Sequence, residues 1–173
     1  KDRRTQNICE VEINPNENWQ KKHYKSFSLT YAKAPYFKQY QYLLEEFYLE
    51  RQWTKLSELN EYTTRRICDA LGIRAEFVRS SDYGFSGSKE GQKIIRLCRA
   101  LGCDHLINGP KSAEYMKQEL FDEAGIDVRY MTYEYPEYRQ LFRPFTHNVT
   151  VLDLLFNMGD QAPYYIWGWR EQQ

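Results

Sequence analysis

The sequence predicts an α/β fold with a mainly parallel sheet, a Rossmann-like three-layer arrangement with a helical segment near the N-terminus. Three observations predict it. Residues 74–133 read strand, helix, strand, helix, strand, with short connections and helices of a length that favours parallel strands and right-handed crossovers. Residues 17–71 hold three successive stretches with apolar side chains at helical spacing. The chain has 173 residues, 42% hydrophobic and 28% charged, which suits one α/β domain over residues 1–173 with one sizeable core.

In order along the chain, residues 8–13 alternate apolar with polar or small side chains, the pattern of a half-buried strand, and Asn14-Pro15-Asn16 stops it. Residues 17–32 predict a helix with Trp19, Tyr24 or His23, Phe27 and Tyr31 at helical spacing, ended by Pro35. Residues 36–50 predict a second, carrying Tyr40, Leu43, Leu44, Phe47 and Tyr48. Residues 53–71 predict a third, with Leu56, Leu59, Thr63, Ile67 and Leu71, and Gly72 suits its C-terminal turn.

The pattern then changes. Residues 74–80 read as a strand, and residues 88–101 as a helix with Ile94, Ile95, Leu97, Cys98 and Leu101 inward, closed by Gly102. Residues 104–108 form a short strand. Residues 110–124 form a helix with Pro110 in its first turn and Gly125 at its end, and residues 126–133 a further strand. The remainder, 134–173, is loop-rich with a short helix over 150–157, where Thr150 and Asp153 have capping-box spacing with Asp in place of Glu.

Composition excludes several classes. Lys plus Arg and Asp plus Glu both number 24, so the basic excess of a nucleic-acid binder is absent; Lys1, Arg3, Arg4, Lys21, Lys22 and Lys25 read as a solvated face. No nucleic-acid partner is expected. The longest apolar run, 149–156, contains Thr150 and Asp153 and falls short of the roughly 18 to 20 residues of a membrane span. The four cysteines include no C-x-x-C pair and are read as reduced thiols of a cytoplasmic protein, which makes the Asn148-Val149-Thr150 sequon irrelevant to glycosylation. Fifteen tyrosines suit either wet pockets and interfaces or half-buried helix faces. The chain opens on Lys1 and a polar stretch, as a processed chain, a tag remnant or a missing segment would.

In open α/β sheets, ligands bind beyond the carboxyl ends of the strands, where the next helix offers unpaired N–H groups. Two loops are candidates. The first, 80–89, contains Ser80, Ser81, Asp82, Tyr83, Gly84, Gly87 and Lys89: glycines admit a ligand close to the backbone, and a lysine near the helix start favours an anion. It has neither the Walker A spacing nor G-x-G-x-x-G, and the plainer alternative is a surface loop capped by Ser88. The second contains Asn108, Gly109, Lys111 and Ser112, followed by Tyr115; its plainer alternative is a turn and a helix start. If the strands before them are neighbours, both loops face one crevice.

Among the histidines, His147 lies in a loop and is the candidate general base, with a backbone-satisfied loop residue as the alternative; Asp82 could orient a histidine or bind a hydroxyl. His23 and His105 read as boundary and sheet residues. No His or Cys spacing fits zinc, so no metal site is expected. No cofactor is expected beyond a nucleotide as substrate.

Four segments together look familiar: Trp19-Gln20-Lys21-Lys22-His23; Tyr31-Ala32-Lys33-Ala34-Pro35-Tyr36-Phe37; Ile107-Asn108-Gly109-Pro110-Lys111-Ser112-Ala113-Glu114-Tyr115; and Val151-Leu152-Asp153-Leu154-Leu155-Phe156-Asn157-Met158-Gly159. In order and spacing they resemble the WbqC-like protein family over roughly residues 8–159. Family members begin with a strand, an aromatic Gln-Pro-x-x-x-Pro-x-x-Gly-Tyr segment and an Asp-rich stretch, which this sequence does not contain; by the resemblance it lacks roughly the first third of the family domain. The resemblance implies a bacterial cytoplasmic protein associated with surface-polysaccharide or nucleotide-sugar pathways.

Three functions follow for testing. The first is a transferase acting on a nucleotide-linked sugar, by acyl or aminoacyl transfer. The second is a nucleotidyltransferase or ligase-like enzyme using the same crevice. The third is a binding or scaffold protein. The expected small-molecule partner is a nucleotide or nucleotide-sugar, and self-association is left open.

Overall fold

The computed structural model describes residues 6–84, 90–132 and 135–167. Along the chain these form α1 (Trp19–Tyr31), α2 (Phe37–Tyr48), α3 (Leu56–Ala70), α4 (Glu90–Leu101), β1 (His105–Asn108), α5 (Gln118–Glu123), β2 (Asp127–Tyr130), α6 (Val151–Met158) and α7 (Ala162–Trp167), with short 3-10 turns between. They gather into two compact units. One comprises residues 1–75 and 135–173, the other residues 76–134.

The first unit is helical. Tyr40, Leu43, Leu44 and Phe47 on α2 recur at helical spacing and are all buried, because that stripe packs on α6, whose Leu152, Leu154, Leu155 and Phe156 are buried in the same core. Phe156 meets Phe37 at 5.2 Å and Tyr31 at 5.1 Å between ring centroids. On α1, Trp19, His23, Phe27 and Tyr31 fall four residues apart and line one face. His23 and Trp19 meet Tyr48 edge-on at 5.7 and 6.1 Å, and Phe27 stacks on Tyr48 at 6.1 Å. Tyr31, Tyr40 and Tyr48 thus serve helix packing. Buried Gln20 donates from Nε2 to the carbonyls of Tyr48 (3.3 Å) and Arg51 (2.6 Å), satisfying groups that the end of α2 leaves unpaired.

The strand expected over residues 8–13 is not formed. Asn7 donates from its backbone N–H and its side chain to the Glu10 carboxylate, both at 3.1 Å, and curls Ile8–Glu10 into a 3-10 turn. Only Glu12 bridges to a neighbour, antiparallel to Lys55. A local side-chain bond of this kind competes directly with a ladder.

The second unit holds the sheet, which is smaller than expected. Among the described residues it has two strands, parallel, pairing His105 with Asp127 through Asn108 with Tyr130. Parallel pairing is as the sequence predicts; the Rossmann-like three-layer arrangement is not found. Residues 74–79 have strand-like alternation but are in no ladder among the described residues, and lead into a 3-10 turn at Ser80–Tyr83. Alternation describes a surface that fits a sheet, and without a neighbour to exchange hydrogen bonds it makes only extended chain.

The helix expected over residues 110–124 is broken. Pro110–Glu114 forms a 3-10 turn in which Ser112 Oγ bonds back to the Gly109 carbonyl at 2.5 Å, and the α-helix starts again at Gln118. Ile95, Cys98, Phe121 and Ile126 form this unit's core. Leu101, expected inward, is 38% exposed at the end of α4.

Candidate functional site

A concavity lies in the first unit, around residues 137–145 before α6. Thr150 caps that helix, its Oγ1 accepting from Leu152 N at 3.3 Å. Asp153, expected to complete a capping box, instead turns inward and is 4% exposed. Its Oδ2 accepts from the Tyr138 hydroxyl at 2.7 Å and from Gln140 Nε2 at 3.1 Å. Gln140 also donates to the Thr146 carbonyl at 2.9 Å and accepts from Thr146 N at 3.0 Å through Oε1. One buried carboxylate on a rigid helix therefore anchors both ends of the preceding loop. Burial, and then the Asp153 carboxylate, raises the phenol of Tyr31 above its ordinary range; burial likewise leads the rise of Tyr138, where a bond from Gln140 opposes the same carboxylate. Both phenols stay protonated and serve as donors.

Held this way, residues 137–140 and 142–145 line a hollow of about 650 Å³. That volume is in the range of small-molecule sites, about 300–1,000 Å³. Tyr138 forms the buried wall, with Phe145 edge-on to it at 5.3 Å. Phe142 is 60% exposed at the rim. Arg139 and Arg143 are exposed, and neither is in an ion pair among the described residues. Glu137 is the lining carboxylate. Arginine forks beside aromatic faces match a ligand that combines phosphate with a planar or sugar ring.

His147 stands beside this hollow. Its ring meets Phe145 edge-on at 4.8 Å and Tyr135 at 4.5 Å. Its backbone carbonyl accepts from the Tyr135 hydroxyl at 3.1 Å. The carbonyl is satisfied, and the exposed ring lies against two aromatic side chains.

The other expected site residues fall in the second unit. Ser80, Ser81, Asp82 and Tyr83 form the 3-10 turn, with Ser81 Oγ donating to Asp82 Oδ1 at 3.2 Å, and Gly84 follows at φ +64°. Gly87 and Lys89, with the cap Ser88, lie outside the described residues. Asn108 ends β1, its Oδ1 accepting from Gly109 N at 3.0 Å; Lys111 is exposed, Ser112 is buried, and Tyr115 is 62% exposed. Among the described residues, 74–80 form no ladder and the strand beside β1 is β2, so the neighbouring strands expected before the two loops are not seen.

Arg139, Phe142, Arg143 and Phe145 are not among the residues that motif spacing singles out. The signal that finds them is local: in Arg-Gln-Leu-Phe-Arg-Pro-Phe, two cations and two aromatics interleave within seven residues.

Among the described residues no helix is long and apolar enough to cross a membrane. The protein is a mixed helix-and-sheet chain, with one largely helical unit and one built on a parallel strand pair. A profile of the WbqC-like protein family matches residues 1–165, and the chain belongs to that family. It is 35% identical over 150 residues to a Mycobacterium tuberculosis protein described as "Uncharacterized protein Rv1507c", an alignment covering 86% of this chain. The chain spans 64% of the length of that relative. No solved structure matches it.

Proposed function

We propose that this WbqC-like protein is a transferase that binds a nucleotide-linked sugar in the hollow of residues 137–145 and transfers an acyl or aminoacyl group in surface-polysaccharide biosynthesis. The observation that carries the reading is the pair of arginines, in no ion pair among the described residues, that line the hollow with Phe142, Phe145 and Tyr138. Arg139 and Arg143 would clamp the diphosphate, each charge-assisted contact contributing about 1.5–3 kcal/mol. The aromatic side chains would lie against base or sugar. His147 would take the proton from the attacking sugar hydroxyl or amine as the new bond to the acyl carbonyl forms, a role worth about 10²–10⁴ in rate.

Within the second unit, the turn at Asn108, Gly109, Lys111 and Ser112, with Tyr115, is proposed as a separate anion contact, and Asp82, in the turn at Ser80–Gly84, as a group that accepts from a ligand hydroxyl.

A thermal-shift screen against nucleotides and nucleotide-sugars tests the reading. Stabilisation by nucleotide-sugars, lost in Arg139→Ala/Arg143→Ala, supports it. Pyrophosphate release from a nucleoside triphosphate would replace it with nucleotidyl transfer. No shift with any of these ligands would leave a binding or scaffold protein.

A further inference from the structure

The four cysteines are free thiols, and two of them, Cys98 and Cys103, stand at the two ends of one backbone turn. Helix α4 ends in a Schellman turn. The Cys103 N–H donates to the Cys98 carbonyl at 2.8 Å, the Gly102 N–H donates to the Arg99 carbonyl at 3.2 Å, and Gly102 sits at φ +66°. This pair of bonds reverses the chain, and the positions at its two ends ordinarily carry a side-chain contact; the Cys103 Sγ also lies 3.8 Å from the Leu101 carbonyl.

The chain holds two further turns of the same kind, which serve as internal comparisons. At Gly125, Ile126 N bonds to the Phe121 carbonyl at 2.9 Å, and Phe121 and Ile126 share one core. At Gly72, Ile73 N bonds to the Cys68 carbonyl at 2.9 Å, pairing one thiol with an isoleucine. Only at Gly102, among these three, do thiols fill both contacting positions.

We propose that Cys98 and Cys103 form a site of reversible oxidation, closing an intrachain disulfide across the α4–β1 turn on reaction with a low-molecular-weight disulfide. Accessibility orders the steps. Cys103 is exposed and Cys98 is 7% exposed. The Cys103 thiolate attacks the external disulfide, forming a mixed disulfide and releasing one thiolate. Cys98 then gives up its proton, its sulfur attacks the Cys103 sulfur, and the second external thiolate leaves. Two protein thiols are oxidised and one external disulfide is reduced to two thiols. Burial and the neighbouring Cys103 thiol both raise the Cys98 thiol, so Cys98 suits the resolving role better than the entering one. The product ties the end of α4 to the residue two positions before β1, in the unit whose core contains Cys98 itself.

Titration of the whole chain with oxidised glutathione, followed by non-reducing peptide mapping, tests the proposal without any substitution. A peptide linking Cys98 to Cys103 should exceed the singly glutathionylated Cys103 form by about tenfold, as expected when the resolving thiol's effective concentration exceeds that of free glutathione. In Cys9→Ser/Cys68→Ser, both remaining thiols should disappear together and return on reduction. In Cys103→Ser, Cys98 should stay free. Stable glutathione adducts on Cys103 with Cys98 still reduced, or links only to Cys9 or Cys68, would overturn it.

Discussion

The Tyr138 hydroxyl donates to Asp153 Oδ2 at 2.7 Å, inside the core, and Gln140 reaches the same oxygen at 3.1 Å. A buried carboxylate without donors costs several kcal/mol, so the contact binds the 137–145 loop to α6. Asp153→Ala should lower unfolding free energy by about 3 kcal/mol, and Tyr138→Phe by about 1–2 kcal/mol, in urea denaturation. Equal stability of both variants with wild type would contradict the network.

Gly159 ends α6 at φ +55°, ψ −132°, a region glycine alone adopts readily. A Cβ there would run into the ring of Tyr36, whose backbone N–H is itself bonded to the Phe156 carbonyl at 2.9 Å. Gly159→Ala should therefore cost about 3 kcal/mol or more, by strain and overlap together. Gly72→Ala, at φ +70°, meets no described atom within 4 Å and should cost about 1 kcal/mol. Thermal melts of the two variants give the comparison.

Glu46 links α2 to α3. It accepts from Arg66 Nε and Nη2 at 2.7 and 2.8 Å and from the Tyr62 hydroxyl at 3.0 Å. Donation by Arg66 holds its carboxyl below the ordinary value of 4.5. Because the folded value is the lower one, the stabilisation is complete above the unfolded value and is lost as pH falls through the folded value. Glu46→Gln should be less stable than wild type by about 1 kcal/mol at neutral pH, with the two converging in acid. Chemical denaturation across pH 3–7 checks this; a constant difference would argue against it.

Arg143→Ala should weaken binding of a nucleotide-sugar about tenfold or more if the hollow in the first unit is the diphosphate site, with the affinity falling as salt rises. Lys111→Ala separates the alternatives, since it alters the turn after β1 and leaves the hollow intact. Calorimetric titration of both variants decides which turn holds the anion. Loss with Lys111→Ala alone would move the site to the second unit.

His147→Ala should retain ligand binding and lose turnover by about 10²–10⁴ if His147 transfers the proton. Full turnover in the variant would remove it from that role.

By itself the sequence determined the three helices before residue 72, because burial at 3.6-residue spacing is written in side-chain identity: Tyr40, Leu43, Leu44 and Phe47 name their own face. It also determined the three glycine-ended turns, the Thr150 cap and the parallel sense of the short strand pair. The segments at 8–13 and 74–80 show its limit. Both alternate, yet a strand exists only where a second strand completes its hydrogen bonds, and a local Asn7–Glu10 pair can win instead. The site depended on the same kind of non-local event. Asp153 has the spacing of a cap, and only packing against Tyr138 and Tyr31 turned it inward to hold the loop that sets Arg139 and Arg143 around a hollow. Periodicity records which face of an element avoids water; which partner that face or carboxylate meets is decided when the elements pack.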